Sequence, residues 1–289
     1  MIELGPNRYG KSAIRLVKVD RGSRGGLKHH GDRVRDLTIA ISLEGDFESA
    51  HTEGDNSNVI ATDTMKNTAY ALAADGLTGS IEDFGRLMTD HFLDAAQVSR
   101  ATVTIDEHNW SPIDLGGERS DHAFQRIDAG TRTATIIADR AGTTVEAGVR
   151  ALTVMKTTRS GFAGFPRDRF TTLPEVDDRI LATRIDATWR YRDGTSGFDE
   201  LHGLVRARLL QAFAEHHSPS VQASIWIVGR EILDVYPEVA EIRMRMPNLH
   251  HWRIDLEPFG IEGERDLYVA TTEPHGLIEA TLRRGDQSG

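Results

Sequence analysis

The sequence predicts an α+β protein built from two copies of one domain, in which antiparallel strands carry helices on one face. Along the 289 residues, the hydrophobic period switches between two, typical of strands, and about 3.6, typical of helices. The order strand, strand, helix, helix, strand, strand occurs once in each half of the chain, which indicates a duplicated domain rather than a solenoid. We therefore predict one copy at residues 1–140 and the second at 141–289.

The elements of the first half follow from these periods. They are strands near 14–19 and 37–43, helices near 64–74 and 81–92, and strands near 103–105 and 133–137. A polar turn around Gly25 and Gly26 joins the first two strands. Gly76 is placed to end the first helix, and Ser80 is placed to cap the second. The stretch 107–131 is predicted to be a loop.

The second half repeats the order. Its elements are strands near 143–157 and 180–192, helices near 198–213 and 219–235, and strands near 240–246, 250–256 and 267–282. Ser218 and Pro219 read as the N-cap and first-turn proline of the second helix. Exposed sheet edges are usually paired or covered, so a closed oligomeric barrel is the expected assembly.

Composition excludes several classes of protein. The net charge is 34 − 44 = −10, which argues against a nucleic acid partner because such binding needs a basic face. The absence of cysteine excludes disulfides, zinc–thiolate sites and a cysteine nucleophile. No apolar run approaches the roughly 20 residues of a membrane span, and neither a signal peptide nor a C-terminal peroxisomal tripeptide is visible. A bacterial-type cytoplasmic protein without a membrane partner is therefore expected.

Common catalytic motifs are absent or misplaced. Gly5-Pro-Asn-Arg-Tyr-Gly10-Lys11-Ser12 fits the phosphate-loop pattern, but a strand rather than a helix is predicted after it, so we interpret it as a chance match. The chain has no dinucleotide-binding glycine motif, hydrolase elbow or zinc-protease motif. Three adjacent histidine pairs, 29–30, 216–217 and 250–251, do not form two-ligand claws on strands, because neighbouring side chains face opposite ways. No metal site is predicted.

Two helix starts carry polar groups that could bind an anion. Thr62 and Asp63 follow apolar strand residues directly, and Val221 and Gln222 occupy the first turn of a later helix. From the pattern alone, simple capping and a surface glutamine are the favoured interpretations of these residues. Alternatively, donors at a helix N-terminus attract an anionic ligand, and the duplication suggests one shared pocket.

Seven blocks of sequence, in order along nearly the whole chain, resemble the urate oxidase (uricase) family. They are Tyr9-Gly10-Lys11, Ala61-Thr62-Asp63-Thr64 with Lys66-Asn67-Thr68, 162–173 (FAGFPRDRFTTL), 178–183 (DRILAT), 187–189 (ATW), 246–251 (MPNLHH) and 274–281 (PHGLIEAT). The resemblance implies two tandem T-fold (tunnelling-fold) repeats per chain. It also implies a homotetramer whose β-barrels form a tunnel, with active sites at subunit interfaces.

The resemblance implies a reaction as well. Urate, dioxygen and water would be converted to 5-hydroxyisourate and hydrogen peroxide in purine catabolism, with no metal and no organic cofactor. Dioxygen is a triplet and urate a closed-shell molecule, so a protein without a cofactor has to make urate itself a better electron donor. Removing a second proton from the urate monoanion achieves this.

Catalytic roles carry over onto four residues. Lys11 and Thr62 match the base dyad, in which the lysine draws a proton through a hydroxyl that is too weak a base alone. His250 matches a residue that joins this relay through water. Asn248 matches, with Thr62, the small polar site that holds dioxygen or the attacking water.

Substrate binding carries over onto a larger set: Asp63, Phe162, Leu173, Arg179, Val221, Gln222 and Asn248. The planar guanidinium of Arg179 suits a carbonyl and an adjacent ring nitrogen, and Gln222 suits the opposite edge of the purine. Phe162 would stack on the ring, with Leu173 closing the apolar wall. Backbone N–H groups of Asp63 and Val221 would donate from the helix starts.

Simpler interpretations of these residues exist. From the residues alone, Lys11 reads as a solvated lysine at a strand end, Phe162 as a core aromatic, and Arg179 as the ion-pair partner of Asp177 or Asp178. The alternatives for the whole protein are a T-fold enzyme acting on a pterin or another purine, and a purine-binding scaffold without catalysis. Pterin enzymes often need zinc held by His or Cys, and no such motif is visible here.

Overall fold

A computed structural model describes residues 2–21, 31–263, 266–271 and 273–285. The predicted turn at Gly25 and Gly26 and the histidine pair at 29–30 lie outside these residues. The chain divides into two compact units. Unit 1 comprises residues 1–148 and 190–202, and unit 2 comprises residues 149–189 and 203–289. The strands at 142–156 and 181–191 and the helix at 198–215 each contribute residues to both units.

Unit 1 holds most of the N-terminal elements. They are β1 (Tyr9–Asp20), β2 (Arg33–Gly45), α1 (Glu48–Thr52), α2 (Thr62–Gly76), α3 (Ile81–Leu93), β3 (Val98–His108), β4 (Trp110–Asp114), β5 (Arg119–Arg126), β6 (Thr131–Asp139) and the first part of β7 (Gly142–Lys156). Strands β1, β2, β3 and β6 form an antiparallel sheet in that order. Helix α2 packs on β1, and α3 packs on β3 and β6.

The core of unit 1 lies between this sheet and its helices. Alternate residues of β2, namely Leu37, Ile39, Ile41 and Leu43, are at most 2% exposed. They face a helical layer in which Phe84, Met88 and Phe92 are also buried. Alternation in the strand and helical spacing in α3 therefore bury one face of each element against the other.

Unit 2 holds the remaining elements. They are the second part of β7, most of β8 (Leu181–Tyr191) and of α4 (Phe198–Glu215), α5 (Val221–Val235), β9 (Val239–Leu249), β10 (His251–Arg253), a 3₁₀ turn (Glu257–Phe259), β11 (Tyr268–Ala270) and β12 (Gly276–Arg283). Strands β9 and β12 pair antiparallel, β10 pairs with β11, and α5 packs on β9 and β12. No helix in the described part of the chain is long and apolar enough to cross a bilayer.

The predicted class, α+β with antiparallel sheets that carry helices on one face, is confirmed, but two local predictions are wrong. The stretch 107–131 is a hairpin of β4 and β5 rather than a loop. Its polar, Gly-rich sequence hides short strands whose residues are largely exposed. The N-cap of α5 is Ser220 rather than Ser218, because the Ser220 side chain accepts the N–H of Ala223 at 3.1 Å.

The predicted cap of α3 is confirmed and allows a stability test. Ser80 is 4% exposed, and its Oγ accepts the N–H of Asp83 at 3.0 Å. We expect Ser80→Ala to lower the free energy of unfolding by about 1 kcal/mol, since it leaves a buried helix-start donor unpaired. Unfolding in guanidinium chloride measures this, with the exposed α2 variant Thr64→Ala as control. Equal midpoints for Ser80→Ala and the parent would contradict the cap.

Candidate active site

Phe162 and Arg179 are held side by side by backbone pairing between two segments of unit 2. Phe162 exchanges two backbone hydrogen bonds with Val176, at 2.8 and 3.1 Å, and the N–H of Arg179 donates to the carbonyl of Ser160 at 2.7 Å. The segments approach so closely at Gly161 that a Cβ there would lie 2.8 Å from a backbone carbonyl oxygen. The guanidinium carbon of Arg179 consequently lies 5.4 Å from the centroid of the Phe162 ring.

The side chain of Arg179 is partly buried, and its neighbour Asp178 is bonded to other groups. Its Nε is buried without a hydrogen-bond partner among the described residues, and burial lowers the pKa of Arg179. The carboxylate of Asp178 accepts instead from the hydroxyl of Thr158, at 2.5 Å, and from the backbone of Ser160. An ion pair with Asp178, one of the two partners that the simpler interpretation named, is therefore not what this side chain forms. A half-buried guanidinium against an aromatic ring is suited to binding a planar anion.

Phe162 and Arg179 open onto a cavity of about 290 Å³ in unit 2. This volume is near the lower end of the range of about 300–1,000 Å³ typical of small-molecule sites. Five residues predicted from the sequence line it: Phe162, Leu173, Arg179, Asn248 and His250. These five residues thus bring an apolar wall, a cation, an amide and an imidazole to the cavity.

His250 and Asn248 reach the cavity from the end of β9. Asn248 pairs with Gly276 of β12 in the last register position of the ladder. His250 follows β9, and its ring stacks on that of Trp252 with centroids 5.3 Å apart. Burial, and secondarily the charge of Arg179, lower the pKa of His250, so its imidazole is neutral near pH 7. A neutral imidazole can both accept and donate a proton.

A backbone hydrogen bond links the segment just before α5 to the segment that contains Phe162. The N–H of Gly161 donates to the carbonyl of Ser218 at 2.8 Å, three residues before the helix begins at Val221. Val221 is buried and Gln222 is exposed. Among the described residues that line the cavity, neither of these two occurs. The structure therefore links them to the Phe162 segment without placing them in the cavity wall.

Lys11, Thr62 and Asp63 form a separate group in unit 1. Thr62 is the first residue of α2, and the residue at the cap position, Ala61, makes no capping hydrogen bond through its side chain. The carboxylate of Asp63 binds Lys66 at 2.5 Å and Asn67 at 3.0 Å within the helix. Capping thus does not explain Thr62 and Asp63. Because the cap residue has no side-chain acceptor, the first backbone N–H groups of α2 can bind an anion.

Lys11 lies near this helix start. The pKa of Asp63 is lowered mainly by its hydrogen bond to Lys66, and the positive charge of Lys11 adds to the effect. The neighbouring strand residue Tyr9 accepts the backbone N–H of Ile60 at 2.8 Å through its hydroxyl, just before α2. The structure therefore brings the predicted lysine to the predicted helix start. Because Lys11 belongs to strand β1, the phosphate-loop match at residues 5–12 is confirmed as coincidental.

The sequence did not identify the whole cavity wall. His251, Trp252, Arg253 and Tyr268 also line it. They come from β10 and β11, which have three residues each. Strands this short carry too little periodicity to predict a pairing, and no motif marked these side chains.

Comparisons with known proteins agree with one another. The uricase family model matches residues 7–137 and 145–279. A uricase from Arthrobacter globiformis is 42% identical over 284 residues, 98% of this chain and 90% of the relative, and one from Emericella nidulans is 34% identical over 96% of each chain. The crystal structure of the Arthrobacter globiformis uricase superimposes with a TM-score of 0.92 at 41% identity, covering 100% of this chain and 97% of that one. A urate oxidase structure from Bacillus sp. TB-90, 23% identical, shares the fold with a TM-score of 0.80.

The helix-backed antiparallel sheets and the arginine-walled cavity define an enzyme of the T-fold class. Within that class, the chain belongs to the uricase family. The resemblance read from the seven sequence blocks is thereby confirmed, and with it the oxidoreductase class and the urate oxidase assignment.

Proposed function

We propose that this chain oxidises urate at the cavity of unit 2, with Arg179 and Phe162 as the principal ligand-binding residues. The observation that carries the proposal is the half-buried Arg179 guanidinium, which lies 5.4 Å from the Phe162 ring and whose Nε has no hydrogen-bond partner among the described residues. A purine monoanion offers this pair a flat face for Phe162 and an edge of carbonyl and ring nitrogen for the guanidinium. Leu173 closes the apolar wall, and Gln222 with the N–H groups of Val221 and Asp63 holds the remaining polar edge.

The proposed reaction converts urate, dioxygen and water to 5-hydroxyisourate and hydrogen peroxide. Lys11, acting through the Thr62 hydroxyl, removes a second proton from the urate monoanion, with His250 in the relay through water. Two electrons then pass from the dianion to dioxygen. Water bound at Asn248 and Thr62 gives hydroxide to the oxidised ring. The proton removed from urate and the proton left from this water then complete hydrogen peroxide. This balances atoms and electrons with no metal or organic cofactor, because urate is the electron donor.

The proposal includes the assembly. Two tandem T-fold repeats, at 1–140 and 141–289, are supported by the matching order of elements and by the two segments that the family model matches. Lys11, Thr62 and Asp63 belong to unit 1 and the cavity residues to unit 2. In the proposed homotetramer, with its barrel tunnel, the first group of one subunit completes the cavity of another. A cytoplasmic location stays a prediction.

One experiment tests the function. The purified protein, treated with a chelator and dialysed, is mixed with urate in air, and the loss of urate absorbance and the release of peroxide are followed. We expect one peroxide per urate, at a rate that added metal does not raise. Absent turnover, or turnover only after metal is restored, would contradict the proposal. Full activity at dilutions where size-exclusion chromatography shows only monomer would contradict the interface site.

A further inference from the structure

A buried polar chain occupies the junction between α4 and α5 and has no role in the reaction proposed above. The imidazole of His216 contacts the carbonyl of Ala212 through Nδ1 at 2.6 Å and the hydroxyl of Ser224 through Nε2 at 2.8 Å. The Ser224 hydroxyl lies 2.7 Å from that of Ser218, which in turn lies 3.1 Å from the carbonyl of Ser220. Ser218 and Ser224 are both 0% exposed. These residues are called the His216 relay below.

When His216 is neutral, the relay has fewer hydrogens than contacts. A neutral imidazole and two hydroxyls supply three hydrogens for four contacts. In that state two lone pairs face each other at one contact, which is unfavourable in a buried site. An imidazolium adds the fourth hydrogen, and each contact then has one donor: His216 to Ala212, His216 to Ser224, Ser224 to Ser218, and Ser218 to Ser220.

The surroundings oppose that fourth hydrogen. Burial lowers the pKa of His216, and the nearby cations Lys156 and Arg159, together with His217, lower it further. The hydrogen bond to Ala212 acts in the opposite direction. Lys156 is 8% exposed and donates to the backbone carbonyl of His216, so it cannot move away readily. The four contacts favour protonated His216, whereas burial and the neighbouring cations favour the neutral ring. The protonation state of His216 should therefore respond to pH.

The relay ends at the backbone that carries two of the proposed substrate contacts. The N–H of Ser218 donates to the carbonyl of Arg159 at 2.9 Å, and its carbonyl accepts from Gly161, next to Phe162. Ser220, at the far end, is the N-cap of α5, and Gln222 lies in the first turn of that helix. Movement of the Ser218–Ser220 turn therefore shifts Gln222 relative to Phe162.

We propose that His216, Ser224 and Ser218 are positioning residues that set where Gln222 stands relative to Phe162, and that a proton on His216 tightens this arrangement. The inference rests on the proposed substrate roles of Gln222 and Phe162. The relay touches no substrate atom, so its influence falls on urate binding more than on the chemical step.

The first test separates KM from kcat. Ser224→Ala removes two contacts of the relay, to His216 and to Ser218, and is expected to raise the KM for urate about three- to tenfold, with kcat changed less than about twofold. Gln211→Ala, at an exposed position of α4 whose side chain contacts those of Arg208 and Glu215, is the matched control and leaves both constants unchanged. If Ser224→Ala does not fold, Ser218→Ala takes its place, because it removes the last two contacts and keeps the one between His216 and Ser224. An unchanged KM in the folded variant overturns the inference, even if its melting temperature falls.

The second test uses pH. The ratio of KM in Ser224→Ala to KM in the parent cancels the titration of urate and of His250. We expect that ratio to grow as the pH falls from about 8 to about 5, because the parent gains the fourth hydrogen when His216 is protonated. A ratio that stays flat over this range overturns the protonation step.

A double-mutant cycle shows whether the relay acts through Gln222. In a Gln222→Ala background, Ser224→Ala should cause little further rise in KM, since coupled residues are not additive. Independent, multiplying effects overturn the inference. Failure of the proposed function looks different, because the parent enzyme itself would then not consume urate.

Discussion

Lys11→Met is expected to lower kcat on urate by a factor of about 10², as for the loss of a general base. In the proposed dyad, methionine keeps the length of the side chain and removes the amine that draws the proton through Thr62. Thr62→Ala should cost a similar factor, because it removes the hydroxyl between lysine and urate. Steady-state oxidation of urate at saturating oxygen measures both.

The direction of the Lys11 side chain depends on an irregularity in β1. Lys11 pairs with Ile41 and Ile14 with Ile39, so three steps along β1 match two along β2. Ala13 takes up the extra residue with a φ of 55°. A bulge of one residue reverses which side chains face a given layer, and here it puts Lys11 on the same face as the buried Ile14. In an unbulged strand Lys11 would face away from α2.

Lys18 provides the matched control for Lys11. It lies on the same face of the same strand, and its Nζ donates to the carbonyls of Ala74 and Leu77 at 3.1 Å each. Lys18→Met should therefore affect the C-terminal end of α2 and leave turnover near the parent value. Near-parent turnover in both Lys11→Met and Thr62→Ala would reject the dyad, and an equal loss in Lys18→Met would indicate a general effect of charge.

The regular elements could be predicted because their burial is one-sided. In β8, Ile185, Ala187, Trp189 and Tyr191 are each at most 3% exposed, and their alternation is visible in the sequence. The hairpin at 110–126 could not be predicted in this way, since its strands are mostly exposed and need no apolar alternation. Hydrophobic periodicity arises from one-sided burial. It therefore predicts secondary structure only where one face of an element is buried.

Helix starts show a second limit of the sequence. Ser218 and Ser220 are both suitable caps, and composition does not choose between them. The choice is made by pairing distant in sequence, because Ser218 bridges to Ser160 and its hydroxyl is drawn into the relay with Ser224. Ser220 is left to cap α5.

The candidate site also contains residues that the sequence predicted and residues that it did not. Five of its residues, predicted from the family resemblance, line one cavity, and three of them are polar. Trp252 and Tyr268, from the β10–β11 hairpin, were not found. Their place depends on pairing between segments 15 residues apart or more, which no local pattern encodes. A family motif identifies residues that take part in the chemistry, whereas wall residues such as these can be identified only in the folded structure.

Arg179→Ala is expected to weaken urate binding and to slow turnover together, with KM raised about ten- to a hundredfold. That range corresponds to the loss of hydrogen bonds to a charged group. Binding should suffer because the guanidinium neutralises the anion. Turnover should suffer because the dianion that follows proton removal carries more charge, so the interaction strengthens toward the transition state. Arg179→Lys should fall between, since an ammonium keeps the charge and loses the planar fork.

Arg167→Ala is the matched control for Arg179→Ala. Arg167 lies in the same segment of unit 2, 5.8 Å from the Phe165 ring, and donates to the carbonyl of Leu173 at 3.1 Å, but it does not line the cavity among the described residues. We expect urate KM within about twofold of the parent for this variant, because exposed charges at a distance are screened. Equal losses in the two variants would mean that any positive charge favours urate binding to a chain that carries −10 overall, whatever its position. A loss confined to Arg179 would mean that one desolvated guanidinium creates a locally positive pocket in an acidic protein.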